Sequence, residues 1–463
     1  MEDTLATQKP KVAVIGAGIS GLTTGKNLGD YGIDYTVYES GDRVGGNWAF
    51  KNSNGHSSAY RSLHIDTSKE GLRFRDFAIS KAYPDFPHHT QVQQYLEDYC
   101  LAFNIKRHIR FETPVKHARR LPGGGWELTT AAGESDLYDA LVVANGHHWD
   151  PRYAEFPGEF TGEQMHSHYY IDPSDPKDLR GKRILVVGIG NSASDITSEL
   201  SQKSNRNQVF LSTRSGAWVV PKYLMGVPVD QLLALQPRLP LRPQKIAARI
   251  LPKLLSGNME NYGLPRPDHN FMEAHPTQSA ELLVRLGSGD VVAKPNVQAL
   301  EGNKVRFVDG SVEEVDVIIW ATGYNISFPF FDAEFLSAPG NKIDLFKRMF
   351  KPGVDDLVLV GFGQALPTLF PFVECQAQLA ARYLAGTYRT PDEAAMHLAI
   401  ARDDKRDRGH VSDRPRHTQQ MDTPVYNHDI NHREIPAGTE RARRLGPVVL
   451  AGRAAQHLEQ THA

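Results

Sequence analysis

Apolar positions first gather in the run Val12, Ala13, Val14 and Ile15, which no polar residue interrupts. Such a run closed by glycine predicts a strand buried on both faces. Gly16, Gly18 and Gly21 follow at the spacing G-x-G-x-x-G, then a helical stretch to about Tyr31. A second strand is predicted over 33–39 and ends on Glu39. The same order returns far along the chain. Residues 183–187 form an apolar strand, Gly188, Gly190 and Ala193 mark the turn, and a helix runs to about Ser201. A strand over 208–212 then leads into Ser212, Thr213 and Arg214. Strand, Gly-rich turn, helix, strand is the sequence form of a parallel βαβ unit. The expected class is therefore α/β, with two dinucleotide-binding, Rossmann-like units.

Further strands are predicted near 125–130, 140–144, 304–308 and 316–323. Residues 221–276 are rich in Pro and Leu and break the βα rhythm, which predicts an insertion in the second unit. A helix is predicted to start at Thr390, Pro391, Asp392 and Glu393, with Thr390 as the cap and Glu393 completing a capping box. The charged run after Arg402 reads as a solvated tail or helix face.

Composition narrows the chemistry. The 463 residues exceed one small core. A net charge of -2 gives no basic field for nucleic acid or an anionic membrane. Two cysteines, Cys100 and Cys375, can build neither a disulfide framework nor a Cys-rich zinc site, and no metal site is expected. That usage fits a reducing compartment. The first residues lack an apolar signal core, and no apolar run reaches the ~18 residues of a spanning helix. The expectation is a cytoplasmic protein without a transmembrane anchor.

The glycines have a physical purpose. A pyrophosphate lies against a helix N-terminus, where free N–H groups and the helix dipole favour negative charge. Gly16 allows the tight turn, Gly18 lets the backbone approach the phosphates, and Gly21 lets helix and strand pack closely. Ser20 belongs to the same turn. Glu39 can accept from a ribose diol and would repel a 2′-phosphate, so the first unit should take FAD or NAD. The second unit, with Gly188, Gly190, Asn191, Ser192 and Ala193 at its turn, has no acid at the equivalent place. Ser212, Thr213 and Arg214 offer hydroxyls and a guanidinium to a phosphate dianion, which points to NADPH. Two sites of opposite ribose preference imply electron transfer from NADPH to a flavin.

Phe160, Gly162, His166 and Tyr170 complete the spacing F-x-G-x-x-x-H-x-x-x-[Y/F] just before the second turn. With them stand Gly45, Gly46, Asn47 and Trp48; Tyr60 to Lys69; Val143 to His148; Ala321, Thr322, Gly323 and Tyr324; and Pro367 to Gln376. Over roughly 11–385 the chain resembles the flavin-containing monooxygenases. The related Baeyer–Villiger fingerprint would carry Trp where this chain has Tyr170.

The resemblance implies an FAD domain built from two chain segments and interrupted by an NADPH domain. The boundaries expected are 1–171, 172–315 and 316–463. It also implies a reaction: NADPH reduces FAD, O2 adds at the flavin C4a carbon, and the hydroperoxide passes one oxygen to a soft nucleophile, typically S or N of a small molecule. By the same resemblance, Gly46, Asn47 and Trp48 lie near the flavin, and Thr322 and Gly323 belong to the nucleotide sites. Val92 and Val115 lend backbone groups to the adenine end, and Gln376 lies close to the isoalloxazine at the start of a helix. His166 links the two nucleotide sites structurally.

Asp66 stands where the family commonly has Asn. An ionised carboxylate only accepts, whereas an amide also donates, and an anion beside the hydroperoxide would keep it protonated and electrophilic. Asp66 is thus the candidate catalytic residue. Alternatives on the same scaffold are Baeyer–Villiger oxygenation of ketones, an NADPH oxidase, and a disulfide reductase, which would need a closely spaced Cys pair. The basic stretch 245–255, interrupted by Pro252, raises membrane or partner binding as a further alternative. The C-terminus lacks the apolar anchor of mammalian relatives, and the family suggests a homodimer.

Overall fold

In the computed structural model, residues 8–233, 253–271, 273, 275–279, 281–408 and 418–455 are described. Of the stretch 245–255, residues 245–252 lie outside the described residues, as do 234–244 of the expected insertion.

Two five-stranded parallel sheets organise the chain. The first has the order Leu357–Leu359, Ala140–Val143, Val12–Ile15, Tyr35–Tyr38, Ile109–Arg110. The second has the order Glu163–His166, Val317–Trp320, Arg183–Val187, Gln208–Ser212, Val291–Lys294. In each, the apolar run ahead of a Gly-rich turn is the central strand, because helices cover both faces of a parallel sheet and leave no place for polar alternation. Val12, Ala13 and Val14 are accordingly fully buried. The expected strands near 125–130 and 304–308 are Trp126–Thr130, in a three-stranded antiparallel sheet, and Lys304–Phe307, in a four-stranded one.

The domain boundaries need correction. Glu163–His166 and Val317–Trp320 pair with each other and belong to the second sheet. Cuts at 171/172 and 315/316 would each leave one of its strands outside. The outgoing and returning chain instead run side by side, Asp150–Pro151 against Tyr324–Asn325, and this short antiparallel ladder is the junction. Glu163–His166 escapes pattern reading because it carries no apolar run, and Val317–Trp320 because its apolar run suits either sheet.

The helix Phe370–Leu384 packs on the helix Ile19–Asp30 of the first turn, sharing a core with Leu22, Leu28, Val373 and Leu379. Further along, the helix Glu393–Arg408 is capped by Asp392, whose carboxylate accepts from the Ala395 N–H at 2.8 Å, and not by Thr390. Its charged run is not wholly solvated either. The buried Lys347 ammonium lies 3.0 Å from Asp403 on this helix and 2.7 Å from Asp429 on the next.

Candidate active site and nucleotide sites

At the first turn Gly16 has φ +102°, and a Cβ there would stand 2.6 Å from the Ala144 carbonyl oxygen. On Gly21 a Cβ would stand 1.8 Å from the Gly16 carbonyl oxygen, so the strand and helix can meet only through glycine. Gly18 and Gly46 face each other with equal economy: a Cβ on Gly46 would lie 3.0 Å from the Gly18 Cα. Side chains at these two positions would fill the groove between the helix N-terminus and the loop. Ser20 is buried beneath it, against Gly361. Glu39 is buried, and its carboxylate accepts from the N–H groups of Ala17 and Gly41, each at 2.7 Å. Burial pushes its pKa up while these bonds pull it down. Oε1 also accepts from the Ser40 hydroxyl and Asn54 Nδ2, each at 3.4 Å, while Oε2, with Ala17 alone, keeps a lone pair for a ribose hydroxyl. The buried Asn145 Oδ1, beside Gly16, has no partner among the described residues. A bare backbone groove, a buried carboxylate and an orphaned acceptor fit FAD along this turn.

The neighbours of that groove sort differently from expectation. Asn47 braces its own loop, accepting from the Ser58 N–H at 2.9 Å and the Ser58 hydroxyl at 2.7 Å. Val92 lies inside the helix His89–Ala102, and its N–H donates to the His88 carbonyl at 3.1 Å. Its N–H is therefore committed within the helix. The adjacent Gln93 reaches the loop instead, donating to the Val44 carbonyl at 2.6 Å, with its Oε1 buried and unpartnered. Val115 opens a strand two residues past Thr113, whose N–H donates to the Glu39 carbonyl at 2.8 Å. Gln376 is the seventh residue of Phe370–Leu384 rather than its start. Fully buried, it accepts from the Gly361 N–H at 2.8 Å and donates to the Tyr426 hydroxyl at 3.2 Å, so it shapes the loop over Ser20.

At the second turn Gly188 has φ +136°, and a Cβ there would meet the Ala321 carbonyl oxygen at 2.3 Å. The helix Asn191–Leu200 begins at once, with Ala193 fully buried against its strand. Ser212 and Thr213 depart from expectation. Their hydroxyls donate to the carbonyls of Pro295 at 2.7 Å and Ser215 at 2.6 Å, so their single protons are spent on backbone. Of that trio only Arg214, exposed, keeps its donors. Thr322 likewise donates to the Arg152 carbonyl. Gly323 has φ +83°, and its carbonyl lies 3.1 Å from His166 Nε2. His166 Nδ1 accepts from the His168 N–H at 3.1 Å, and burial lowers its pKa to about 4. A neutral imidazole with both nitrogens engaged ties the fingerprint strand to the Ala321–Thr322–Gly323 loop.

The two units share one cavity of about 710 Å³. Asn47, Trp48 and Asp66 line it from the first unit; Gly188, Gly190, Asn191, Ser192, Ala193 and Arg214 line it from the second. Asp66 accepts from Asn191 Nδ2 and stands 3.4 Å from Lys222 Nζ, which comes from the expected insertion. Burial pushes its pKa up, and Lys222 opposes that. Behind it the Tyr60 hydroxyl donates to Asp195, an acid raised by burial and by Asp66. Asn191 Oδ1 accepts from the Gln278 N–H at 3.0 Å. Sequence reading missed Gln93, Arg152, Asp195, Lys222 and Gln278 as site residues. Only Asp195 carried a signal, since it lies one helical turn after Asn191 on the same face.

Comparison with known proteins decides the family. A family model described as FMO-like, flavin-binding monooxygenase-like, matches residues 9–437. The chain belongs to this family. It is 38% identical over 419 residues to rat dimethylaniline monooxygenase [N-oxide-forming] 2, covering 86% of this chain and 77% of that protein. It is 36% identical to human flavin-containing monooxygenase 2, with the same coverage of each. Among solved structures, S-allyl-L-cysteine S-oxygenase from Allium sativum superposes with a TM-score of 0.69 at 22% identity, covering 98% of this chain and 99% of that one. Cyclohexanone monooxygenase superposes with a TM-score of 0.67 at 16% identity, covering 95% and 99%. At such identities these structures bear on the fold alone. The family member described here is an FAD- and NADPH-dependent monooxygenase. Cys100 and Cys375 lie buried on different helices, and burial pushes their thiols up to about 11 and about 12. They form no redox pair. No helix among the described residues is long and apolar enough to cross a membrane.

Proposed function

We propose that this flavin-binding monooxygenase oxygenates nucleophilic sulfur or nitrogen of small molecules, with FAD along the first Gly-rich turn and NADPH along the second. The observation that carries this reading is the shared cavity: Trp48 and Asp66 of one unit face the helix N-terminus Asn191–Leu200 of the other across it. Bound FAD, reduced by NADPH, supplies the O2 activation and the transfer of one oxygen atom. The chain supplies binding, orientation and dryness. Backbone N–H groups at Gly18 and Gly190 receive the two pyrophosphates, and Glu39 receives a ribose diol. Trp48, Tyr60, Leu63 and Tyr324 wall the cavity against bulk water. His147, half-buried in the cavity wall and lowered by desolvation to about 3, adds no positive charge. Asp66, braced by Asn191 and Lys222, is the acid that sets the proton balance of the cavity.

The test offers a thioether, a tertiary amine and a ketone to the FAD-loaded protein with NADPH and 18O2. An S-oxide and an N-oxide, each carrying one 18O, are expected, with the ketone unchanged. Ester formation instead would move the chain to Baeyer–Villiger chemistry, and hydrogen peroxide as sole product with every compound would end the proposal. We also assign the chain to the cytoplasm, supported by its two buried free thiols. The family resemblance suggests a homodimer, which light scattering would read.

A further inference from the structure

A 2′-phosphate near neutral pH carries close to two negative charges and three acceptor oxygens. With the protons of Ser212 and Thr213 committed to Pro295 and Ser215, Arg214 is the one member of its trio left to face such a dianion. One exposed guanidinium is a weak match for that charge. The same cavity holds a second. Arg152 lies partly buried in its wall and, apart from histidines, Arg152 and Arg214 are the cationic residues lining it.

Arg152 is fastened by its backbone and uses little of its side chain. Its N–H donates to the Gly323 carbonyl at 2.9 Å, and one guanidinium nitrogen donates to the Thr322 carbonyl at 2.9 Å. That anchor places it beside the end of Val317–Trp320, while Arg214 follows the end of Gln208–Ser212. These strands flank the central strand Arg183–Val187, and strands two apart lie about 10 Å from each other. Two arginine side chains can close that gap from both sides of the Gly188 turn. Neither guanidinium is ion-paired to a carboxylate among the described residues; Glu155, which also lines the cavity, pairs with neither. Burial and the nearby Arg214 both pull the Arg152 pKa below its ordinary value, as expected of a cation awaiting an anion.

We propose that Arg152 is a second guanidinium of the NADPH 2′-phosphate site, closing with Arg214 across the second Gly-rich turn and setting the preference for NADPH over NADH. The proposal rests on NADPH binding at that turn. Calorimetry on the FAD-loaded protein tests it with 2′,5′-ADP, 5′-AMP, NADP+ and NAD+. Arg152→Gln should weaken 2′,5′-ADP and NADP+ by about tenfold or more, as loss of a charge-assisted hydrogen bond does, while 5′-AMP and NAD+ change by less than about twofold. Equal losses for all four ligands, or unchanged NADP+ affinity, overturn it. If Arg152→Gln does not retain FAD, Arg152→Lys decides. That variant keeps the charge and loses the fork, so a smaller loss confined to the 2′-phosphorylated ligands supports the proposal, and unchanged selectivity sinks it. A wild-type protein that binds 2′,5′-ADP no better than 5′-AMP would instead overturn the placement of NADPH at this turn.

Discussion

Asp66 takes its character from residues that no local pattern connects to it. Asn191 of the second unit donates to one oxygen, and Lys222 stands 3.4 Å from the other. Burial favours the neutral acid and Lys222 the carboxylate. Removing Lys222 therefore leaves burial opposed only by the Asn191 hydrogen bond and keeps Asp66 protonated to higher pH. In the pH profile of peroxide released per NADPH consumed, the Asp66 inflection should move upward in Lys222→Met and disappear in Asp66→Asn. Identical profiles for wild type and Asp66→Asn would remove Asp66 from the chemistry. Both variants retain a group that can accept from Asn191, so the network behind them, Tyr60 on Asp195 included, is left in place. Ser212 and Thr213 teach the converse: hydroxyls of a type suited to a phosphate have their protons held by backbone carbonyls.

Among the elements, both Gly-rich turns were legible because their causes are local. An apolar run needs two covered faces, and Gly21, 1.8 Å from a carbonyl if given a Cβ, admits no other residue. Helix starts are less determinate where several capping residues adjoin. Thr390 and Asp392 both suit a cap by type, and in the fold it is Asp392 that accepts from the Ala395 N–H. Asp392→Ala should cost about 1 kcal/mol of stability in urea unfolding, the usual loss of an N-cap, and Thr390→Ala close to nothing. The reverse order would return the cap to Thr390. The same helix carries Asp403, which a linear reading assigns to solvent; in the fold it is one of two carboxylates around the buried Lys347.

At the scale of the whole molecule, two sheets joined by a two-stranded junction enclose the cavity, and the enclosure sets a pH response. His147 is half-buried in the cavity wall, with its pKa lowered by desolvation to about 3 from an unfolded value of ~6.5. A lowered pKa favours the neutral ring in the fold, so this stability is complete above pH ~6.5 and is lost as pH falls through the folded value. Between pH ~6 and ~4 the unfolded chain binds about one more proton at this site. His147→Gln should therefore make the slope of unfolding free energy against pH shallower by about 1.4 kcal/mol per pH unit in that window. An unchanged slope in urea unfolding would show that His147 is charged in the fold. By itself, the sequence determined the two βαβ units, the acid Glu39 at the end of the second strand, and the family motifs, since each depends on neighbours within about thirty residues. Tertiary structure alone decided which sheet Glu163–His166 and Val317–Trp320 would join, that Lys222 would stand beside Asp66, and that Arg152 would line the cavity. Those outcomes rest on contacts between residues more than a hundred positions apart, such as Lys222 with Asp66, and only the closed fold brings such partners into reach.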